Sequence, residues 1–143
     1  MKRQLAVLVL AVSALAADKP ADDAKKALKE LQGTWKVEQA KLGGIAGDKE
    51  VIEKMTVEIR DNKITIKDGI RDEVAEMKLD PGQKPAWLDF TPVKEKSTFK
   101  GIYELDGDTL KLCWTKEGKD RPTAFESKEG TDSVLFVLKR QKK

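Results

Sequence analysis

The residue types that carry most enzyme chemistry are scarce in this 143-residue chain, which has no histidine and a single cysteine, Cys113. Without an imidazole, the Ser-His-Asp and Cys-His arrangements of nucleophilic catalysis cannot form. Histidine-ligated haem and most familiar zinc sites are excluded for the same reason. We therefore expect a protein that is not an enzyme and that uses no metal and no cofactor.

Carboxylates are the remaining source of acid–base chemistry, because the chain contains 25 aspartates and glutamates. Most of them alternate with apolar residues, as Glu58 and Glu104 do, so they should point outward from strands and be solvated. Asp89 shares its outward face with Trp87, which makes a partner-facing carboxylate conceivable, although a plain solvated aspartate is the preferred interpretation. The spacing of Gly43, Gly44 and Gly47 lacks the Gly-Lys-Ser/Thr ending of a phosphate-binding loop and predicts a flexible loop.

Aromatic residues are the strongest candidates for a binding role. Five of them fall on positions that alternation places on one inner face: Trp35, Phe99, Tyr103, Trp114 and Phe136. A packed core and the lining of a ligand pocket require the same pattern, so both interpretations stay open. Together with Arg121, which we place near the mouth of the fold, they form the predicted ligand-binding set. Trp87 points outward and is the predicted anchor of an interaction surface.

The elements that must position these residues are read from hydrophobic periodicity. Eight short stretches alternate apolar and polar residues, which is typical of strands with one buried face. Their apolar positions span residues 35–37, 55–59, 64–66, 75–79, 88–90, 99–105, 110–114 and 134–138. Helical spacing of Ala24, Ala27, Leu28 and Leu31 predicts one short α-helix before the first strand.

Short connections favour an antiparallel meander, and closing it would remove exposed sheet edges. The predicted fold is therefore all-β: an up-and-down barrel of about eight strands preceded by one short N-terminal helix, with a two-layer sandwich as the alternative. Two tight turns fix local registers. A turn at Asp61-Asn62 would pair Ile59 with Ile64, and a turn at Asp106-Gly107 would pair Tyr103 with Leu110 and Phe99 with Trp114. The connection at residues 116–132 is long, and its segment 121–127 could hold a further strand.

The first 16 residues have the features of a secretory signal peptide: a positive start, an apolar run and a small-residue cleavage site. The apolar run is shorter than the roughly 20 residues that span a bilayer. We expect an exported protein of the periplasm, cell envelope or medium, without stable membrane insertion after cleavage; an uncleaved anchor is the alternative. The predicted segments are the signal peptide (1–16), a linker and short helix (17–32), the barrel domain (33–140) and a basic tail (141–143).

Charge argues against nucleic acid as a partner. The 28 basic and 25 acidic residues are interspersed, and removal of Lys2 and Arg3 with the signal peptide lowers the net charge from +3 to +1. Such a surface lacks the basic footprint of a nucleic-acid-binding protein. Cys113 cannot form an internal disulfide, so we expect it to be partly buried as a small apolar side chain. On the predicted hairpin register its side chain points away from the inner face. The sequence does not fix the oligomeric state.

Gly33-Thr34-Trp35, where the helix leads into the first strand, resembles the first motif of lipocalins. In that superfamily the tryptophan closes the barrel floor and a basic residue after the last strand packs on it, a role that the resemblance gives to Lys139 or Arg140. Four segments together look like a family of small exported lipocalin-like domains of unknown function from planctomycete bacteria. They are LQGTWKV (31–37), GIYELDGDTLKLCW (101–114), RPTAF (121–125) and VLFVLKR (134–140). This resemblance, over residues 29–140, implies the fold and export and brings no activity.

Three functions remain in competition. The first is a barrel that binds a small apolar or amphipathic ligand, since eight strands enclose just enough room for side chains or for one small ligand. The second is a cell-envelope domain with a solid core that recognises a protein or glycan through its loops and outer face. The third and weakest is an enzyme that uses carboxylates, Tyr103 and arginines.

Overall fold

The computed structural model describes residues 22–95, 97–116 and 119–141. The predicted signal peptide, the linker residues 17–21 and the last two residues of the basic tail lie outside the described residues. Within the described part of the chain, no helix is both long and apolar enough to cross a membrane.

Nine strands and two helices are formed by the described residues. Helix α1 spans residues 22–31 and α2 spans Lys49–Glu53. The strands are β1 (Gly33–Leu42), β2 (Ile45–Ala46), β3 (Thr56–Arg60), β4 (Lys63–Lys67), β5 (Asp72–Asp80), β6 (Ala86–Pro92), β7 (Phe99–Asp106), β8 (Thr109–Trp114) and β9 (Val134–Arg140).

The sheet closes on itself. Strands β3 to β9 follow one another as an antiparallel meander, and β1 pairs with β3 on one side and with β9 on the other. The two-residue strand β2 only extends the end of β1 as a hairpin. The predicted up-and-down barrel with a short preceding helix is confirmed, and the sandwich alternative is wrong. Closure leaves the long strands without an unpaired edge.

The register of one predicted hairpin is confirmed and that of the other is wrong. The β3–β4 turn pairs Ile59 with Ile64, as the sequence predicts. In the β7–β8 hairpin the turn lies one residue later, at Gly107-Asp108, because Gly107 takes the positive φ of 60° that the first turn position needs. Tyr103 consequently faces Leu112 rather than Leu110, and Trp114 faces Gly101 rather than Phe99. The shift is even-numbered, so every inward residue stays inward.

Two loop predictions also need correction. Gly43 and Gly44 form the tight turn between β1 and β2 rather than a flexible loop, with φ values of 57° and 83°. A Cβ at Gly44 would lie 2.6 Å from the backbone nitrogen of Glu129, so this turn packs closely against the β8–β9 connection. That connection holds no strand in residues 121–127, all of which are described.

One end of the barrel is closed by α1. Leu31, at the end of the helix, is fully buried, and its carbonyl accepts a hydrogen bond of 3.0 Å from the indole Nε1 of the buried Trp35. The Arg140 guanidinium lies 4.3 Å from the centre of the Trp35 ring. It also donates to the carbonyls of Gln32 and Glu30, at 2.9 and 2.8 Å. Arg140, and not Lys139, therefore fills the role that the lipocalin resemblance implies, and we name this end the closed end.

Candidate ligand site at the open end of the barrel

The interior is filled near the closed end and loosens toward the opposite end, which we name the open end. Leu88, Leu110 and Leu138 face inward and are fully buried. Toward the open end, the inward-facing side chains of Phe99 and Trp114 are only partly buried. The space left between the inward-facing side chains therefore lies toward the open end.

The looser packing leaves an apolar cleft of about 100 Å³ between strands β4 to β8. Six aliphatic and aromatic side chains form most of its wall: Ile64, Ile66, Ala75, Phe90, Phe99 and Trp114. Glu73 is the one ionisable residue among the described residues that line it. Its carboxylate lies 3.6 Å from the Arg71 guanidinium, and both side chains are largely exposed. We name this space the open-end cleft; it combines an apolar wall with a charged edge.

Trp114 is held in the cleft by aromatic packing and by a glycine. Its ring makes edge-to-face contacts with Phe90 and Phe136, at centroid distances of 5.1 and 5.0 Å. Gly101 lies opposite Trp114 in the β7–β8 ladder. A Cβ at Gly101 would lie 3.0 Å from the Trp114 Cβ and 2.8 Å from the Cys113 carbonyl oxygen. Glycine is therefore needed beside Trp114, because any larger residue would push this wall of the cleft apart.

The predicted ligand-binding residues do not come together as one set. Phe99 and Trp114 line the open-end cleft, and Phe136 supports Trp114. Trp35 belongs to the closed end, where it is fully buried. Tyr103 faces a different cavity, also at the closed end. Alternation along a strand predicts which face a side chain takes, but not its height along the barrel axis.

Of the six side chains that form most of the wall, four were not predicted as binding residues: Ile64, Ile66, Ala75 and Phe90. Their strands were identified, and the register of the β3–β4 hairpin already places Ile64 and Ile66 on the inner face. The signal that could have added them was the staggering of neighbouring strands in a barrel, which brings Ile64, Ala75 and Phe90 to the level of Trp114.

Arg121 was predicted near the mouth of the barrel but lies on its outer wall. Its guanidinium is 4.1 Å from the centre of the Trp87 ring, and Nη1 donates to the Asp89 carboxylate and to the Gly101 carbonyl, both at 2.7 Å. Trp87 points outward as predicted and is 38% exposed. Asp89 also points outward, where Arg121 neutralises its charge. These contacts hold the loop that carries Arg121 and do not form part of the interior.

That loop follows the outer wall because it covers a small second core. Ile102, Cys113 and Leu135 face outward from β7, β8 and β9, and Phe125 packs against them. The Cys113 thiol is fully buried and donates to the Glu126 carbonyl at 3.4 Å. Burial raises the pKa of this thiol. Cys113 faces outward as predicted, but it is fully buried rather than partly buried because Phe125 covers it. We name residues 119–133 the strap.

Comparison with known proteins adds no relative. No protein-family model matches the chain, and no curated protein matches its sequence significantly. In residues 22–95, 97–116 and 119–141, no three Cys, Asp or Glu side chains are grouped as a metal site would need. The cavities and surfaces of the barrel itself are therefore the features that bear on function.

Proposed function

We propose that this protein binds the apolar end of a small amphipathic molecule in the open-end cleft. The observation that carries the proposal is the cleft itself: about 100 Å³ of apolar space in a barrel whose other half is filled by its own side chains. Half-buried aromatic residues at the end of a barrel leave apolar surface in contact with water, which is unfavourable. A ligand that covers this surface therefore binds with a gain in free energy.

The volume limits the size of the group that enters. An apolar protein cavity of about 150 Å³ stays dry and binds benzene or xenon. Sites that enclose whole drug-sized molecules have volumes of about 300–1,000 Å³. A cleft of about 100 Å³ therefore suits a short alkyl segment or a small ring, with the rest of the ligand outside.

The charged edge suits the polar part of such a ligand. Glu73 lies opposite Ile66 in the β4–β5 ladder, so its backbone position borders the apolar wall. The Glu73 side chain is 66% exposed and that of Arg71 is 76% exposed. Both charges are therefore free to rearrange around a polar head group at little cost in desolvation.

Benzene is a suitable first probe, because it matches the apolar wall and carries no charge. We expect dissolved benzene to shift the NMR methyl signals of Ile64 and Ile66 in a saturable manner. Ala75→Leu should fill the cleft and abolish the shift, since Ala75 forms part of its wall. Glu76→Leu, an outward change on the same strand, is the matched control and should respond like the wild type.

Two results would contradict the proposal: methyl signals that do not move with benzene, or an Ala75→Leu protein that still responds like the wild type. Overpacking by the larger side chain costs about 1–3 kcal/mol of stability, so Ala75→Val is a milder second variant. The dispersion of the same NMR spectra shows whether each variant is folded.

A second candidate function is recognition of a cell-envelope partner through the open-end loops. It is favoured by the exposure of five large apolar residues in the described connections at that end: Leu42, Ile45, Val51, Ile70 and Val93. Ile70 is the most exposed of the five, at 92%. Pull-down from an envelope extract should recover a partner with the wild type and lose it with the Ile70→Ser, Val93→Ser double variant. Recovery of the same proteins with both would exclude this candidate.

A further inference from the structure

A second concave surface lies at the closed end, on the far side of the barrel from the open-end cleft. It is a groove of about 470 Å³ between α1, the β5–β6 turn at residues 81–85 and the end of β7. Its volume lies within the range of about 300–1,000 Å³ that small-molecule sites occupy. Apolar atoms of Ala27, Leu31, Pro85, Ala86 and Leu105 contribute to its wall. We name this space the closed-end groove.

Tyr103 brings a free polar group to that wall. The side chain is 94% buried, since its exposed fraction is 6%. Its hydroxyl makes no hydrogen bond with any described residue. Among the described residues, every side-chain oxygen or nitrogen that is fully buried does have a hydrogen-bond partner. The hydroxyl is therefore not fully enclosed, and the groove is the cavity that Tyr103 lines. A hydroxyl fixed in this way can accept and donate hydrogen bonds to a bound molecule.

The groove also has a negative electrostatic character. Glu30 and Glu104 line it, against one lysine, Lys84, among the described lining residues. Burial and then the negative charges of Glu30 and Asp80 raise the pKa of Tyr103 to about 12. The same charges that disfavour a tyrosinate would attract a cation placed next to the hydroxyl.

We propose that the closed-end groove binds a small organic cation, an ammonium or guanidinium group carried on a compact apolar body. The cationic head donates hydrogen bonds to the Tyr103 hydroxyl oxygen and to the Glu30 carboxylate. Glu104, whose carboxylate lies 4.0 Å from the Lys111 ammonium, adds attraction only at longer range. The apolar body packs against the partly exposed Leu105 and Pro85. A neutral molecule of the same shape keeps the packing but loses the charge attraction, and an anion is repelled. This site is independent of the open-end cleft.

The probes that test it are benzylammonium, its neutral analogue benzyl alcohol and the anion phenylacetate, each titrated into the full domain at pH 7 and low salt. Binding is followed by the amide NMR signals of Ala27, Ala86 and Leu105. We expect saturable shifts with benzylammonium, about 5-fold or more weaker binding of benzyl alcohol, and no binding of phenylacetate. Equal affinity for benzylammonium and benzyl alcohol, or no shifts with millimolar benzylammonium, would overturn the proposal.

Variants separate the hydroxyl from the charges. Tyr103→Phe should weaken benzylammonium binding about 5- to 10-fold by removing one hydrogen bond. Glu30→Gln and Glu104→Gln change exposed side chains, so each should fold normally and weaken binding about 2- to 5-fold. Glu76→Gln, an exposed residue on the outer face of β5 that lines neither cavity, is the matched control and should leave the affinity unchanged. A Glu30→Gln, Glu104→Gln double variant with wild-type affinity would also overturn the proposal.

Discussion

Tyr103 is the residue whose chemistry the fold changes most. It is the only tyrosine of the chain, so its ionisation can be followed by ultraviolet absorbance. Burial, with the charges of Glu30 and Asp80, raises its pKa to about 12 from the ordinary value of 10.0. The unfolded chain therefore loses this proton at a lower pH than the folded protein does. The stability that the protonated tyrosine provides is complete below about pH 10 and is lost as the pH rises through about 12.

We expect the absorbance titration of the folded protein to have its midpoint near 12. In Tyr103→Phe, the fall in the free energy of unfolding between about pH 10 and 12 should be smaller by about 2 kcal/mol than in the wild type. Glu30→Gln should lower the midpoint, because one of the negative charges near the phenol is removed. A midpoint near 10 in protein that circular dichroism shows to be folded would contradict this account.

At the level of single residues, the sequence predicted the face of the sheet from which a side chain points better than it predicted which residues that side chain contacts. Alternation placed Trp35, Tyr103 and Trp114 on the inner face, and all three pack into the main core. It could not show that they serve different ends of the barrel. The contact between Arg121 and Asp89 joins residues separated by 32 positions in the sequence, and no local pattern encodes it.

The strap is the element whose role the sequence left most open. The sequence predicted only a long connection there, whereas the structure shows the strap fixed along the outer wall at three places. Arg121 is bound at Asp89 and Gly101, Phe125 covers Cys113, and the Ser127 hydroxyl accepts from the Gly44 amide at 2.8 Å. The eight barrel strands were predicted because each repeats one simple period. The strap has no period, and its position depends on contacts with residues distant in sequence.

Cys113 reports whether the strap is docked, because Phe125 and the Glu126 carbonyl cover its thiol. We expect slow reaction of this thiol with a disulfide reagent in the wild type, since burial both shields it and raises its pKa. Arg121→Ala removes the ion pair, a carbonyl hydrogen bond and the contact with Trp87. The free energy of opening the strap should then be about 1–3 kcal/mol lower. The Cys113 thiol should therefore be labelled about 5- to 100-fold faster than in the wild type at the same pH.

The matched control is Lys116→Ala, which removes a largely exposed ion pair with Asp132 next to the strap. Such pairs contribute little, so its labelling rate should stay within about 3-fold of the wild type. Equal rates for Arg121→Ala and Lys116→Ala would show that Arg121 does not hold the strap. Measured free energies of global unfolding separate local opening from general destabilisation.

For the whole molecule, periodicity determined which face is buried but not whether the sheet closes. A barrel and a sandwich bury the same residues, and the choice depends on whether β1 and β9 can pair. They pair along most of their length, with an irregularity between Val37 and Gln39 that lets the strand bend. The lipocalin resemblance anticipated one further feature, the packing of a basic residue on Trp35. It could not distinguish Lys139 from Arg140, because that depends on which of them faces the closed end.

Arg140, in the last strand of the barrel, contacts Trp35 in the first strand. Its substitution is therefore the most direct test of how closure of the barrel contributes to stability. Its guanidinium contacts the Trp35 ring and donates to the carbonyls of Glu30 and Gln32 at the end of α1. Its Nε lies 3.4 Å from the Asp108 carboxylate. We expect Arg140→Ala to lower the free energy of unfolding by about 2–4 kcal/mol, measured by urea denaturation. Arg140→Lys should recover only part of this loss, because an ammonium can sit over the indole but cannot reproduce the forked hydrogen bonds.

Lys139→Ala is the control, since Lys139 is exposed on the outer face and should change stability by less than about 0.5 kcal/mol. Fluorescence, which reports on Trp35 among the tryptophans, and far-ultraviolet circular dichroism should give coincident transitions if the closed end and the sheet unfold together. A fluorescence change that precedes the loss of sheet in Arg140→Ala would mean that α1 detaches first and that the closed barrel persists without it. Arg140 would then hold α1 in place without stabilising the rest of the barrel. If Arg140→Ala and Lys139→Ala lowered the free energy of unfolding by the same amount, Arg140 would have neither role.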